Sequence, residues 1–113
     1  MSDVKQMVME MQVQLSKHRE ELQRTLNTIE NVSRNNSLIE KSMKDIKNSN
    51  EKFVWESVGR AFVKIPITEY EIEMKSKIRD NIESMNNLNK KKHYLETSIK
   101  NTMDSLKKVI GTQ

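Results

Sequence analysis

Cysteine is absent from the 113 residues, glycine occurs twice, proline once, and only five side chains are aromatic. Without cysteine there is no disulfide, no thiolate nucleophile and no sulfur-ligated metal site. Two glycines and one proline supply too little turn chemistry for a fold of many short elements. No apolar run approaches the roughly 18–20 residues of a membrane span, and no apolar signal core opens the chain, so a cytoplasmic protein is expected. The mean hydropathy of −0.80 and the 32% charged content argue against a round, self-sufficient core. Disorder is excluded on other grounds, because the apolar residues recur periodically. What remains is long helical structure.

Charge is plentiful but balanced. Residues 1–51 carry eight basic and eight acidic groups, and residues 69–113 carry nine and seven. Half of the net +4 falls on residues 52–68, where Lys52, Arg60 and Lys64 face only Glu56. A nucleic-acid footprint would cluster basic residues on one face, and none is seen.

From Val4, a strict 4-3 count visits thirteen positions, ten of them apolar: Val4, Val8, Met11, Leu15, Leu22, Ile29, Val32, Ile39, Met43 and Ile46. His18, Thr25 and Asn36 are the exceptions. A 3.5-residue repeat held this long predicts a supercoiled helix over residues 3–48, with Asp3 and Gln6 as a capping box and Asn48-Ser49-Asn50 as its stop. A second helix is expected over residues 69–110. Thr68 and Glu71 make its capping box, and Ile67 and Ile72 stand at staple positions. Its seam is read through Ile78, Ile82, Met85, Leu88, Lys92, Leu95, Ile99, Thr102, Leu106 and Val109, with a 3-3 irregularity around Met85. Gly111 ends it. Acid-first i,i+4 pairs such as Glu20–Arg24, Glu73–Lys77 and Glu96–Lys100 decorate both exposed faces, each worth about 0.2–0.5 kcal/mol. The two helices are expected to fold back as an antiparallel two-helix coiled coil in a single domain over residues 1–113.

Between them, residues 52–66 concentrate the Trp and both Phe residues of the chain. Lys52–Glu56 and Ala61–Ile65 alternate as strands, and Ser57-Val58-Gly59-Arg60 forms the turn, with Gly59 where positive φ is needed. Both faces of this central β-hairpin carry apolar groups, from Phe53, Val54, Trp55 and Val58 on one side of the turn to Phe62, Val63 and Ile65 on the other. A lone two-stranded hairpin is marginal in water, and one with apolar faces and two free edges invites association. The helices use their apolar residues on their own seam. The hairpin therefore needs strands from other chains and is expected to join an intersubunit β-barrel.

This layout, with the core WESVGRAF (Trp55–Phe62), resembles prefoldin, and KKHYLETSIKNTMDSLKKVI (Lys91–Ile110) is similar to the C-terminal helix of its β-type subunits, subunit 1 in particular. The resemblance implies a hexamer of two α-type and four β-type subunits. Their hairpins would form a β-barrel platform carrying the coiled coils, and the coil tips would capture unfolded proteins, notably actin and tubulin, for transfer to the cytosolic chaperonin. It also implies that no nucleotide or other cofactor is used.

Client contact requires apolar side chains that the seam leaves over. Met1, Met7, Val8, Met9, Met11 and Val13 fall at one end, with Val109 and Ile110 at the partner end. Met7, Met9 and Val13 lie off the 4-3 seam, and unbranched Met suits a surface that fits many partners. His18 and His93 have no companion ligands at metal or catalytic spacing, Asn36 is read as a register residue, and Lys90-Lys91-Lys92 as a solvated face. No catalytic, metal or cofactor-binding set is found, so the chain is read as a non-enzyme without nucleic-acid or membrane partners. The competing reading is a passive coiled-coil tether or scaffold subunit of another assembly.

Overall fold

The computed structural model describes residues 2–111, without the Ser2 side chain; Met1 lies outside them. Helix α1 spans Ser2–Asn48, strands β1 and β2 span Phe53–Val58 and Ala61–Pro66, and helix α2 spans Ile67–Gly111. The chain divides into two units, one made of Met1–Glu30 with Asn86–Gln113 and the other of Asn31–Met85.

The burial pattern of α1 follows the 3.5-residue repeat. All thirteen positions of the count from Val4 to Ile46 are buried or partly buried, and every other described side chain of α1 is exposed. The three polar exceptions, His18, Thr25 and Asn36, are carried in the seam with the apolar residues. Thr25, only 3% exposed, donates its hydroxyl to the Glu21 carbonyl at 2.8 Å. That bond within the helix satisfies the oxygen and leaves the methyl group to pack. His18 is partly buried, and its Nδ1 has no hydrogen-bond partner among the described residues.

The seam of α2 departs from expectation: it takes Asn81 instead of Ile82 and begins earlier, at the buried Met74. Ser98, next to Ile99, is also partly buried. Tyr70 and Glu71, then Met74, Ile78, Asn81, Met85, Leu88, Lys92, Leu95, Ile99, Thr102, Leu106 and Val109 are buried or partly buried. From Met74 onward this is an unbroken 4-3 series, without the 3-3 irregularity. Asn81 occupies the seam in place of Ile82, which is 51% exposed. Two consecutive three-residue steps would overwind the helix locally, and keeping the period avoids that strain. Regular winding brings in a polar residue, which must then find partners.

Within the unit of Met1–Glu30 and Asn86–Gln113 the helical segments run antiparallel. Leu22, Ile99 and Met103 line one groove between charged side chains such as Glu96 and Lys100, and Arg19 Nη2 approaches Met103 Sδ at 3.7 Å. Leu95, 1% exposed, is the best-covered side chain here. In the unit of Asn31–Met85 the same sense holds: Met43 lies with Ile78 along one groove, and Asn36 meets Asn81 farther along. Met74 is the buried apolar side chain of this unit. On the exposed side, Glu73 and Lys77 close at 3.7 Å.

The hairpin end of α1 is stopped locally. Ser49 donates its amide (3.2 Å) and its hydroxyl (2.7 Å) to the Ile46 carbonyl, and Asn50 adopts φ of 57°, a left-handed cap that Asn tolerates. Helix α2 begins at Ile67, so Thr68 lies inside the first turn rather than capping it. Ile72 is exposed and forms no staple.

Candidate functional site

The hairpin is longer and its turn tighter than the sequence suggests. Strands pair antiparallel from Phe53–Pro66 to Val58–Ala61, so Ser57 and Val58 belong to β1 and only Gly59-Arg60 make the turn. Gly59 has φ of +62°, and a β-carbon there would meet nothing within 4 Å. Backbone conformation alone therefore favours glycine, and a glycine at the first central position of a two-residue loop is the type II′ arrangement.

Alternation assigns the side chains to two faces. Val54, Glu56, Val58, Ala61, Val63 and Ile65 share one. Phe53, Trp55, Ser57, Phe62, Lys64 and Pro66 share the other. On the first face, Val54, Glu56 and Ile65 are partly buried while Val58 and Val63 are exposed. On the second, Trp55 is 65% and Phe62 70% exposed, and Phe53 is also open. The Lys64 ammonium sits 4.1 Å from the Phe53 ring centroid, an attraction worth about 0.5–1 kcal/mol at an exposed site. Sequence reasoning placed Phe53, Trp55 and Phe62 in the hairpin but missed Lys64 as a cover for the ring. The diagonal register that creates the contact depends on turn length.

Below the hairpin, Asn81 Nδ2 donates to Asn36 Oδ1 at 2.6 Å and to Asn35 Oδ1 at 3.1 Å. Both amide hydrogens of Asn81 are thus used, one on each oxygen. A polar layer satisfied in one alignment penalises others, which is how a seam Asn fixes register.

The other sequence-assigned group falls in the unit of Met1–Glu30 and Asn86–Gln113. Met7, Met9, Val13 and Ile110 are exposed, while Val8, Met11 and Val109 are partly buried in the seams. Four apolar side chains in this region thus face outwards. Among the described residues no group of three or more His, Asp or Glu side chains is placed to hold a metal, and no helix is long and apolar enough to cross a membrane.

The structure is similar to the crystal structure of the prefoldin beta subunit from Thermococcus strain KS-1, with a TM-score of 0.79 and 22% identity over 90% of each chain. At that identity the likeness establishes the fold: two long helices around an antiparallel two-stranded hairpin. No individual curated protein matches the chain. The family model described as "Prefoldin subunit" matches residues 4–113, nearly the whole sequence and with it both helices and the hairpin. The chain belongs to the prefoldin subunit family, whose members are chaperone-type subunits that assemble with one another.

Proposed function

We propose that this chain is a β-type subunit, most like subunit 1, of a hexameric, ATP-independent co-chaperone that captures unfolded proteins and passes them to the cytosolic chaperonin. The hairpin residues Phe53, Val54, Trp55, Val58, Gly59, Arg60, Phe62, Val63 and Ile65 build the assembly platform with other α-type and β-type subunits. The segment containing Met7, Val8, Met9, Met11 and Val13, together with Val109 and Ile110, holds the client, with actin and tubulin as the clients the family resemblance points to. The protein acts in the cytoplasm, catalyses no reaction, and uses no cofactor.

One observation carries the reading of the client end. Met7, Met9 and Val13 are exposed on a helix whose seam already takes Val8 and Met11. Unpartnered, flexible Met side chains fit varied apolar segments at little cost in shape, so these three residues give the helix apolar surface that its seam does not use. Changing Met7, Met9 and Val13 together to Ser keeps length and seam while removing that surface. In a hexamer reconstituted with matching tip changes in its partners, suppression of aggregation of an unfolded protein should fall while assembly persists. Unchanged suppression would remove the client role from these residues and favour a tether with fixed partners.

A further inference from the structure

One hydrogen bond fixes the chemistry of both hairpin edges. The Ile67 amide donates to the Lys52 carbonyl at 3.0 Å, continuing the register that pairs Phe53 with Pro66. Hydrogen-bonded and non-hydrogen-bonded pairs alternate along an antiparallel ladder. Val54–Ile65, Glu56–Val63 and Val58–Ala61 therefore exchange the ladder bonds, and Phe53, Trp55, Ser57, Phe62, Lys64 and Pro66 turn their backbone groups outwards. Pro66, which has no amide hydrogen, falls where the ladder needs none.

The two outer edges differ. Edge β1 offers an amide and a carbonyl from each of Phe53, Trp55 and Ser57, none of them charged. Edge β2 offers amides only at Phe62 and Lys64, is charged at Lys64, and ends in Pro66. Lysine and proline are the residues by which sheet edges are blunted against added strands. Edge β1 carries neither; its one charged side chain, Glu56, lies on the opposite face from Phe53 and Trp55.

We infer that the outer edge of β1 accepts an added strand more readily than that of β2, and that in the isolated chain its occupant is β1 of a second copy, antiparallel about Trp55. The inference rests on the proposed assembly role of the hairpin. Centring the pairing on Trp55 sets Trp55 beside Trp55 of the second copy and Phe53 beside Ser57 of the second copy. All three outward amides and carbonyls of both copies are then satisfied. The donor and acceptor pattern is its own complement, as a two-fold interface requires. No like charges meet, whereas pairing β2 with β2 centred on the equivalent position would bring two Lys64 side chains together, a destabilising arrangement. Among the described residues the chain has two strands, both already used in the hairpin, so the added strand comes from another molecule. The resulting four-stranded sheet joins the Phe53, Trp55 and Phe62 surfaces of both copies on one face.

Sedimentation equilibrium of the full chain tests this with two prolines. Ser57→Pro deletes an outward amide of β1 and leaves the ladder bonds and aromatic rings in place. Lys64→Pro does the same on β2. Ser57→Pro should weaken dimerisation about tenfold or more, since it removes two intermolecular bonds per dimer, and Lys64→Pro should leave it within about twofold. In the unmodified chain the only Trp should also give a near-ultraviolet exciton couplet that grows with concentration, a readout independent of how the variants fold. Loss through Lys64→Pro instead, equal loss through both, or a couplet absent from the dimer overturns the edge assignment while leaving the hairpin as the assembly element. Undiminished self-association of the Phe62→Asp chain would instead remove the assembly role itself. A chain that stays monomeric throughout overturns the inference.

Discussion

Truncating Ile82 should cost almost nothing, and truncating its neighbour Asn81 should be expensive, the reverse of what side-chain polarity suggests. Ile82 is 51% exposed, so Ile82→Ala removes little buried surface and should change stability by no more than about 0.5 kcal/mol. A seam isoleucine would lose about 2–5 kcal/mol on the same change. Asn81→Ala takes the donor from two oxygens at once, Asn35 Oδ1 and Asn36 Oδ1. Leaving a covered acceptor unpaired costs about 1–3 kcal/mol. Asn35 is exposed and recovers a bond from water, so the loss comes chiefly from the partly buried Asn36. Replacing Asn36 and Asn81 together by Leu removes both halves of the main bond and fills the seam with apolar surface. The double variant should be at least as stable as the parent, with a coupling of about 1 kcal/mol or more in the double-mutant cycle. It should also lose uniqueness of register, seen as broadened amide resonances. Urea unfolding followed by circular dichroism, at one fixed protein concentration because association contributes to stability, measures the parent, the two alanine variants, and the single and double leucine variants of the cycle. An Ile82→Ala loss above about 2 kcal/mol, or an Asn81→Ala loss below about 0.5 kcal/mol, would refute the assignment of the seam.

Phe62→Asp, at the most exposed aromatic position of the hairpin, should abolish co-assembly with partner prefoldin subunits in size-exclusion chromatography while far-ultraviolet circular dichroism stays within error of the parent. Normal assembly would take the hairpin out of the platform. Thr25→Val should raise the unfolding midpoint, because the hydroxyl it deletes bonds only to the Glu21 carbonyl of its own helix among the described residues and the site is well covered; the gain should be about 0.5–1 kcal/mol by urea titration. A loss of similar size would mean that the hydroxyl serves a partner across the seam.

Polarity is a proxy for burial, and the proxy works where the repeat is long and uniform. In α1 the ten apolar residues define the period so firmly that His18, Thr25 and Asn36 are carried into the seam with them. In α2 the same proxy preferred Ile82 to Asn81, because nothing adjacent to Asn81 reveals partners more than forty residues upstream. A signal was nevertheless available: counting back from Met85 in strict 4-3 steps lands on Asn81, Ile78 and Met74. Asn36 in the facing seam already called for a polar partner. Local turn chemistry was legible only in part. Gly59 marked the reversal, but whether Ser57 and Val58 turn or pair is decided by cross-strand pairing with Phe62 and Ala61, which no single strand encodes.

The hairpin shows a different kind of limit. Its composition demands a cover, since Trp55 and Phe62 remain open while the helices bury their own seams. The demand is legible in one chain, but the cover we propose belongs to another. Register then narrows what that other chain must bring. The parity set by the Lys52–Ile67 bond turns the backbone groups of Phe53, Trp55 and Ser57 outwards, which suits an extended strand rather than a helix. Lys64 and Pro66 shorten the useful length of the opposite edge. Each hairpin thus brings one edge without lysine or proline and one that Lys64 and Pro66 guard. The Ser57→Pro and Lys64→Pro pair measures that asymmetry in the isolated chain. Carried into a reconstituted hexamer, the same pair would show which edge each neighbouring subunit uses.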